Sequence, residues 1–163
     1  MMAEFIGSRG SDMRMRALFL LCVVLGTPVD ALAAMPDFSA GQVWAYRTRP
    51  GEEMSRLLID RVEDDPRLGR IYHISITGIH IGRTDAAIRF LSELPHLPVS
   101  EKTLTLSCTT LVGELGPNPN YLDGYQAWRK AFEAGRAGVY TISVAEIIDT
   151  ADHTLQGQQW VPI

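Results

Sequence analysis

The stretch Arg70–Ile81 (RIYHISITGIHI) is the clearest strand signal in the chain, and a strand of that length constrains everything around it. Tyr72, Ile74 and Ile76 alternate with His73, Ser75 and Thr77, the two-residue period of a β-strand. After Gly78 the apolar residues change phase, to Ile79 and Ile81. A glycine at a phase change marks a β-bulge. Such a strand needs partners for its backbone, and the preceding sequence supplies them. Gln42–Arg49 (QVWAYRTR) is rich in β-formers, with Trp44, Tyr46 and Thr48 on one face. Val43, Ala45, Arg47 and Arg49 take the other face. Pro50-Gly51 suits the centre of a type II turn. Ser55–Glu63 (SRLLIDRVE) is a second strand, with Leu57, Ile59 and Arg61 opposite Leu58, Asp60 and Val62. Asp64–Gly69 is the next turn signal. Links this short predict an antiparallel three-stranded meander.

The later segments read as helices with one short strand. Gly82–Leu94 offers a short helix with Ile88 and Leu91 on one side, and Pro95 and Pro98 bracket His96-Leu97 in a loop. Ser100–Val112 fits a helix through Leu104, Cys108 and Leu111, with Ser100 as N-cap. Its threonines fit a strand equally well; helix is the reading taken. Tyr121–Ala134 is a helix with a Tyr125, Trp128 and Phe132 stripe, closed by Gly135. Gly138–Ile142 is a short strand, and Ser143 with Glu146 forms a capping box for a last helix ending near Asp152. The expected fold is α+β: a three-stranded antiparallel meander plus a later short strand, covered by two to three helices. The Tyr125–Trp128–Phe132 helix is expected to cover the apolar face of the strands.

The N-terminal region carries an address. Arg14 and Arg16 precede an apolar stretch, Ala17–Gly26, and Ala31-Leu32-Ala33 supplies small residues for signal peptidase. Residues 1–33 therefore read as a signal peptide cleaved after Ala33, with Met13 the expected translation start. The apolar run is about half of the roughly 20 residues that a spanning helix needs, so no permanent membrane anchor is expected. Residues 38–155 are expected to form a single α+β domain, and residues 156–163 a flexible tail. Without three basic and three acidic residues, the mature chain holds 12 Lys plus Arg against 16 Asp plus Glu. That acidic balance argues against a nucleic-acid partner. Cys108 is the one cysteine beyond the signal segment, which rules out an intramolecular disulfide in the mature chain and suits a buried small apolar residue.

The candidate chemistry is sparse. His73 and His80, on one strand, would stand roughly 20 Å apart at ~3.3 Å per residue, too far to share a metal. His96 has a route to either through its loop. Glu52-Glu53 and Asp64-Asp65 read as solvated turn charges, and no G-x-S-x-G nucleophile motif is present. Arg47 and Arg49, with Arg56 and Arg61 on the next strand, could line an anion-reading stripe. Pairing with Glu52, Glu53, Asp60 and Glu63 across the hairpin is the favoured alternative. No metal or cofactor is expected.

The segments WAYRTRPGEE (44–53), IYHISITG (71–78), HLP (96–98), YQAWRKAF (125–132) and GRAGVYTISVAE (135–146) resemble a group of small uncharacterised bacterial proteins. The resemblance spans most of Phe38–Ile148 and departs most over Arg83–Leu94. It implies one continuous domain and favours a helix at Ser100–Val112, and it brings no activity or ligand. The expected protein is a small non-enzymatic, periplasmic or secreted protein of the bacterial envelope, which binds a protein partner or a ligand. Arg47, Arg49, His73 and His96 are the candidate ligand-binding residues. The alternative is a small periplasmic hydrolase using His73 and His96 with an acidic residue. Catalytic residues and oligomeric state stay open.

Overall fold

The long central strand is flanked on both sides by antiparallel neighbours. The computed structural model describes residues 36–82 and 91–155, which fall in one compact unit, Met35–Ile163. The expected signal segment with Ala31 and Ala33, and the expected tail, lie outside the described residues. The strands are β1 (Gln42–Tyr46), β2 (Arg56–Asp65), β3 (Gly69–Ile81), β4 (Leu91–Ser100) and β5 (Cys108–Glu114). The helices are α1 (Glu101–Ser107), α2 (Tyr121–Glu133) and α3 (Val144–Leu155). The sheet is antiparallel in the order β4-β3-β2-β1-β5. The α+β class and the β1-β2-β3 meander match the sequence reading. Among the described residues the strands number five rather than four.

Several local expectations hold. The Glu52 N–H donates to the Arg49 carbonyl at 3.1 Å around Pro50-Gly51, with Gly51 at φ +85°. This is a type II turn. Gly78 has φ +74°, and Ile79 and Ile81 join Tyr72, Ile74 and Ile76 in the same core. In the capping box, Ser143 N–H donates to Glu146 Oε2 at 2.9 Å and Glu146 N–H to Ser143 Oγ at 3.3 Å.

Others are corrected. The expected short helix over Gly82–Leu94 falls mostly on residues 83–90, outside the described residues; Leu91–Leu94 belong to β4. His96-Leu97 lies in that strand and not in a loop. Pro95 and Pro98 are accommodated because β4 is an edge strand of the sheet. Pro98 turns its carbonyl outward to Tyr140 N–H, so the N–H it lacks is not missed by β3. Register slips between Ile74↔Leu97 and Ile76↔Leu94, a bulge that absorbs Pro95 and His96. Ser100 caps α1 as expected, but the helix stops at Ser107. Residues from Cys108 onward pair with β1, because strand pairing satisfies their backbone and their threonines suit it. Gly138–Ile142 contributes an isolated parallel bridge, Val99↔Tyr140, and no strand. β1 ends at Tyr46, so Arg47 and Arg49 do not share a strand face: β5 begins opposite Tyr46, and β2 only at Arg56.

Both faces of the sheet are covered near β3. Leu57, Ile59, Tyr72, Ile74 and Val99 form the main core with Leu104 of α1 and Val144, Ile147 and Ile148 of α3. Each such side chain contributes ~1.5–3 kcal/mol by leaving water. A shift of register at Asp60 puts Val62, rather than Arg61, beside this core. The aromatic helix α2 covers the opposite face, where Trp128 and Phe132 pack on Ile71. This corrects the expectation that it covers the main apolar face; that role falls to α1 and α3. Among the described residues no helix is long and apolar enough to cross a membrane.

Candidate functional site

The β-strand period sends His73 to the α2 face, between the core residues Tyr72 and Ile74. The bulge in β4 turns His96 to the same face. The two side chains meet, with His73 Nδ1 3.0 Å from His96 Nε2. Their rings stack at 5.2 Å between centroids, 15° from parallel. Tyr125 and Trp128 stand edge-on to His73 at 4.9 and 4.8 Å, and Phe132 stacks on Trp128 at 4.7 Å. His73 is fully buried. Gly124, in α2, makes room for its partner: a Cβ there would stand 2.7 Å from His96 Cβ and 3.3 Å from His96 Nδ1.

Glu63, on β2, completes a chain of polar groups. Its Oε1 lies 3.3 Å from His73 Nε2, within ion-pair range but short of hydrogen-bond alignment. The Tyr125 hydroxyl donates to Glu63 Oε2 at 3.1 Å and Arg129 donates to Oε1 at 3.0 Å. Burial alone would raise the Glu63 carboxyl; His73, Tyr125 and Arg129 outweigh it and hold it below the usual range. Burial lowers His73, against the pull of Glu63. Burial, with His73 alongside, pushes His96 down to about 4. Near pH 7 the pair is therefore neutral beside an ionised Glu63. The consistent tautomers put a proton on His73 Nε2, toward Glu63, and leave His73 Nδ1 to accept from His96 Nε2–H. His96 Nδ1, against Gly124, then carries a lone pair.

A groove of about 470 Å³ opens beside the pair. Its walls include Trp128, Leu97, Pro98, Val139 and Tyr140, with His96 among them. Trp128 Nε1–H donates to the Gly138 carbonyl at 2.9 Å, which ties α2 to the 137–140 wall. Among the described residues, no serine, threonine, cysteine or carboxylate side chain lines the groove. Among the described residues, no group of three or more His, Cys, Asp or Glu could hold a metal ion.

The other nominated residues are placed elsewhere. Arg49 is held by Glu52, by Asp149 at 3.3 Å, by Asp152 at 3.2 Å and by the His80 carbonyl at 3.0 Å. It clamps the first hairpin to α3 and β3. Arg47 donates to the Leu106 carbonyl at 2.7 Å. Arg56 donates to the carbonyls of Glu53 and Ser55, and Arg61 lies over the Tyr125 ring at 4.9 Å. These arginines do not assemble into one stripe. Of the acidic partners weighed for them, Glu52 pairs with Arg49, and Glu63 pairs with Arg61 at 3.4 Å while also reaching His73. Cys108 is partly buried, and burial pushes its thiol up to about 12, which suits a packing residue. Sequence reasoning passed over Glu63, Gly124 and Tyr125 as site residues. A glycine inside an otherwise good helix was the one local signal, because it is costly there without a packing reason. Against known protein families, curated proteins and solved structures, the chain finds no match.

Proposed function

We propose that this is a non-enzymatic binding protein of the cell envelope, which takes a small planar apolar ligand in the groove beside His96. The observation that carries the reading is the lining: aromatic and aliphatic walls with the His96 ring and the Tyr140 hydroxyl as uncharged polar groups, a composition typical of small-molecule sites. Export rests on the pattern Arg14–Ala33 in the sequence. The histidine pair acts as a rigid floor. Stacking, the 3.0 Å contact and Glu63 fix its orientation, so a ligand need not pay to order it.

The hydrolase alternative draws on one observation, the Glu63–His73–His96 chain, which has the layout of a base oriented by a second and third group. Against it, Nε2 of His96 is engaged by His73, Nδ1 abuts Gly124, and among the described residues no serine, threonine, cysteine or carboxylate side chain lines the groove.

Titration with indole, followed by NMR of the Trp128 indole N–H and the His96 ring, tests the reading. Saturable shifts at both, abolished by Val139→Trp, are expected. Absence of any shift at either group would overturn it. Turnover of a nitrophenyl ester panel that disappears in His96→Ala would favour the hydrolase instead. For the address, the exported form is expected to begin at Ala34 on N-terminal sequencing; a form still beginning before Arg14 would refute the signal segment.

A further inference from the structure

A second cavity lies on the same sheet face, separate from the groove. Strand register places Val43 beside Leu58, Leu58 beside Ser75, and Thr77 between Arg56 and Glu93. The segment 115–120 roofs this patch and leaves a cavity of about 700 Å³. Val43, Leu58, Leu115 and Pro117 give it apolar walls, and Arg56, Ser75, Thr77, Glu93, Asn118 and Asn120 supply polar groups.

The Glu93 end of the cavity is rich in acceptors. Asp60, behind it, is 4% exposed. One of its oxygens, Oδ1, accepts from Asn118 N–H at 2.7 Å. Asn118 Nδ2 donates in turn to Glu93 Oε1, so one asparagine serves two carboxylates. Asp60 Oδ2 and Ser75 Oγ are both buried and interact with one another short of a well-aligned hydrogen bond, which leaves the Ser75 oxygen with free lone pairs. Ser75 is 1% exposed and lines the cavity. Among the described residues neither carboxylate meets a cation. Arg56, on the same cavity, spends its Nη1 on the carbonyls of Glu53 and Ser55. Burial, reinforced by Glu93 and offset in part by Asn118 and Ser75, pushes Asp60 up to about 6, as expected for a carboxylate without a countercharge.

We infer that this cavity binds a small organic ammonium ion, with its charged head at Glu93 and the Ser75 hydroxyl oxygen and its carbon chain against Val43, Leu58, Leu115 and Pro117. An ammonium brings three donors to the acceptors at Glu93 and Ser75, and positive charge to an end where Glu93 lines the cavity and Asp60 lies behind it. An anion would meet those carboxylates. A bare metal ion finds no set of three ligands among the described residues. Apolar walls beside a charged end suit an alkyl amine better than a fully hydrated cation.

Titration of the purified protein with hexylammonium, 1-hexanol and hexanoate, followed by the Ser75 and Asn118 amide resonances, decides the matter. Hexylammonium is expected to shift both saturably and to bind roughly tenfold or more tighter than the other two. Glu93→Gln keeps an acceptor for Asn118 and removes the charge; it should weaken hexylammonium by a similar factor and leave 1-hexanol unchanged. Ser75→Ala should also weaken it. Equal binding of hexanol and hexylammonium would reduce the site to an apolar pocket and overturn the inference. So would unshifted cavity amides, or wild-type binding in both variants.

Discussion

Gly124 and His96 are fitted to one another: a Cβ built on Gly124 would lie 2.7 Å from the Cβ of His96. Ordinary helix energetics favour alanine over glycine by roughly 0.5–1 kcal/mol. Here the added methyl group meets the histidine before that gain is realised, and overpacking of this kind costs ~1–3 kcal/mol. Gly124→Ala is therefore expected to lower the thermal midpoint and to disturb the His73–His96 contact in the imidazole NMR spectrum. Gln126→Ala, on the exposed side of the same helix, should stay within about 0.5 kcal/mol of wild type. A Gly124→Ala protein that matches or exceeds wild-type stability would show that the contact relaxes freely.

Trp128 closes the α2 face and one wall of the groove. It is 8% exposed, and its N–H serves the Gly138 carbonyl. Trp128→Ala is expected to cost about 3–5 kcal/mol. Trp128→Phe keeps a ring for Phe132 and His73 but loses the hydrogen bond to the Gly138 carbonyl, at about 0.5–1.5 kcal/mol. Denaturant midpoints should rank wild type above the phenylalanine variant, and that variant above the alanine one. Equal midpoints for the two variants would mean that the indole N–H, and not the packing, matters.

Asp60 is an acid whose folded value, about 6, lies above its ordinary 3.8. Between those values the folded chain holds the proton longer than the unfolded chain does. Stability from this group is therefore lost as pH rises through the window, and the loss is complete above about pH 6. At about 1.4 kcal/mol per unit, the cost at neutral pH is of order 3 kcal/mol. Asp60→Asn keeps the acceptor for Asn118 N–H and drops the charge. It should stabilise the protein at pH 7 by up to that amount and by much less at pH 4. Urea unfolding at the two pH values measures it; equal effects at both would exclude titration of Asp60 as the cause.

What could be read from the sequence was local. The 72–76 alternation, the Gly78 bulge, the Pro50-Gly51 turn and the Ser143–Glu146 box each depend on neighbours within a few residues, and each is found. The misses are long-range. Pro95 and Pro98 read as loop formers, and only the edge position of β4 makes them strand residues. Leu104, Cys108 and Leu111 share helical spacing by coincidence, and pairing with β1 decides the second half of that segment for strand. α2 went to the other face because Ile71 and His73 bury that side of β3, which its apolar residues 72, 74 and 76 concealed. The site was half legible. His73 and His96 were singled out, but Glu63 is brought to them by β2–β3 pairing, whose register after the Asp60 bulge no sequence pattern announced.

That buried pair makes a prediction of its own about acid. His96 has a folded value of about 4 against an ordinary 6.5, and His73 is shifted in the same direction. Both are bases with depressed values, so the unfolded chain takes up protons first as pH falls. Their contribution is full above pH 6.5 and is lost on descent toward 4. Asp60 works the opposite way over part of that range, so the effect is clearest in Asp60→Asn. Glu52 and Glu63, held below their ordinary 4.5, begin to lose their contribution only near that pH, which leaves pH 6.5 to 5 as the clean interval. Across it the Asp60→Asn protein should lose up to about 2 kcal/mol through His96 alone. Adding His96→Gln should flatten the slope. A flat stability profile in Asp60→Asn itself would mean that the two imidazoles are protonated as easily folded as unfolded, and that the neutral His73–His96 pair beside Glu63 does not exist in solution.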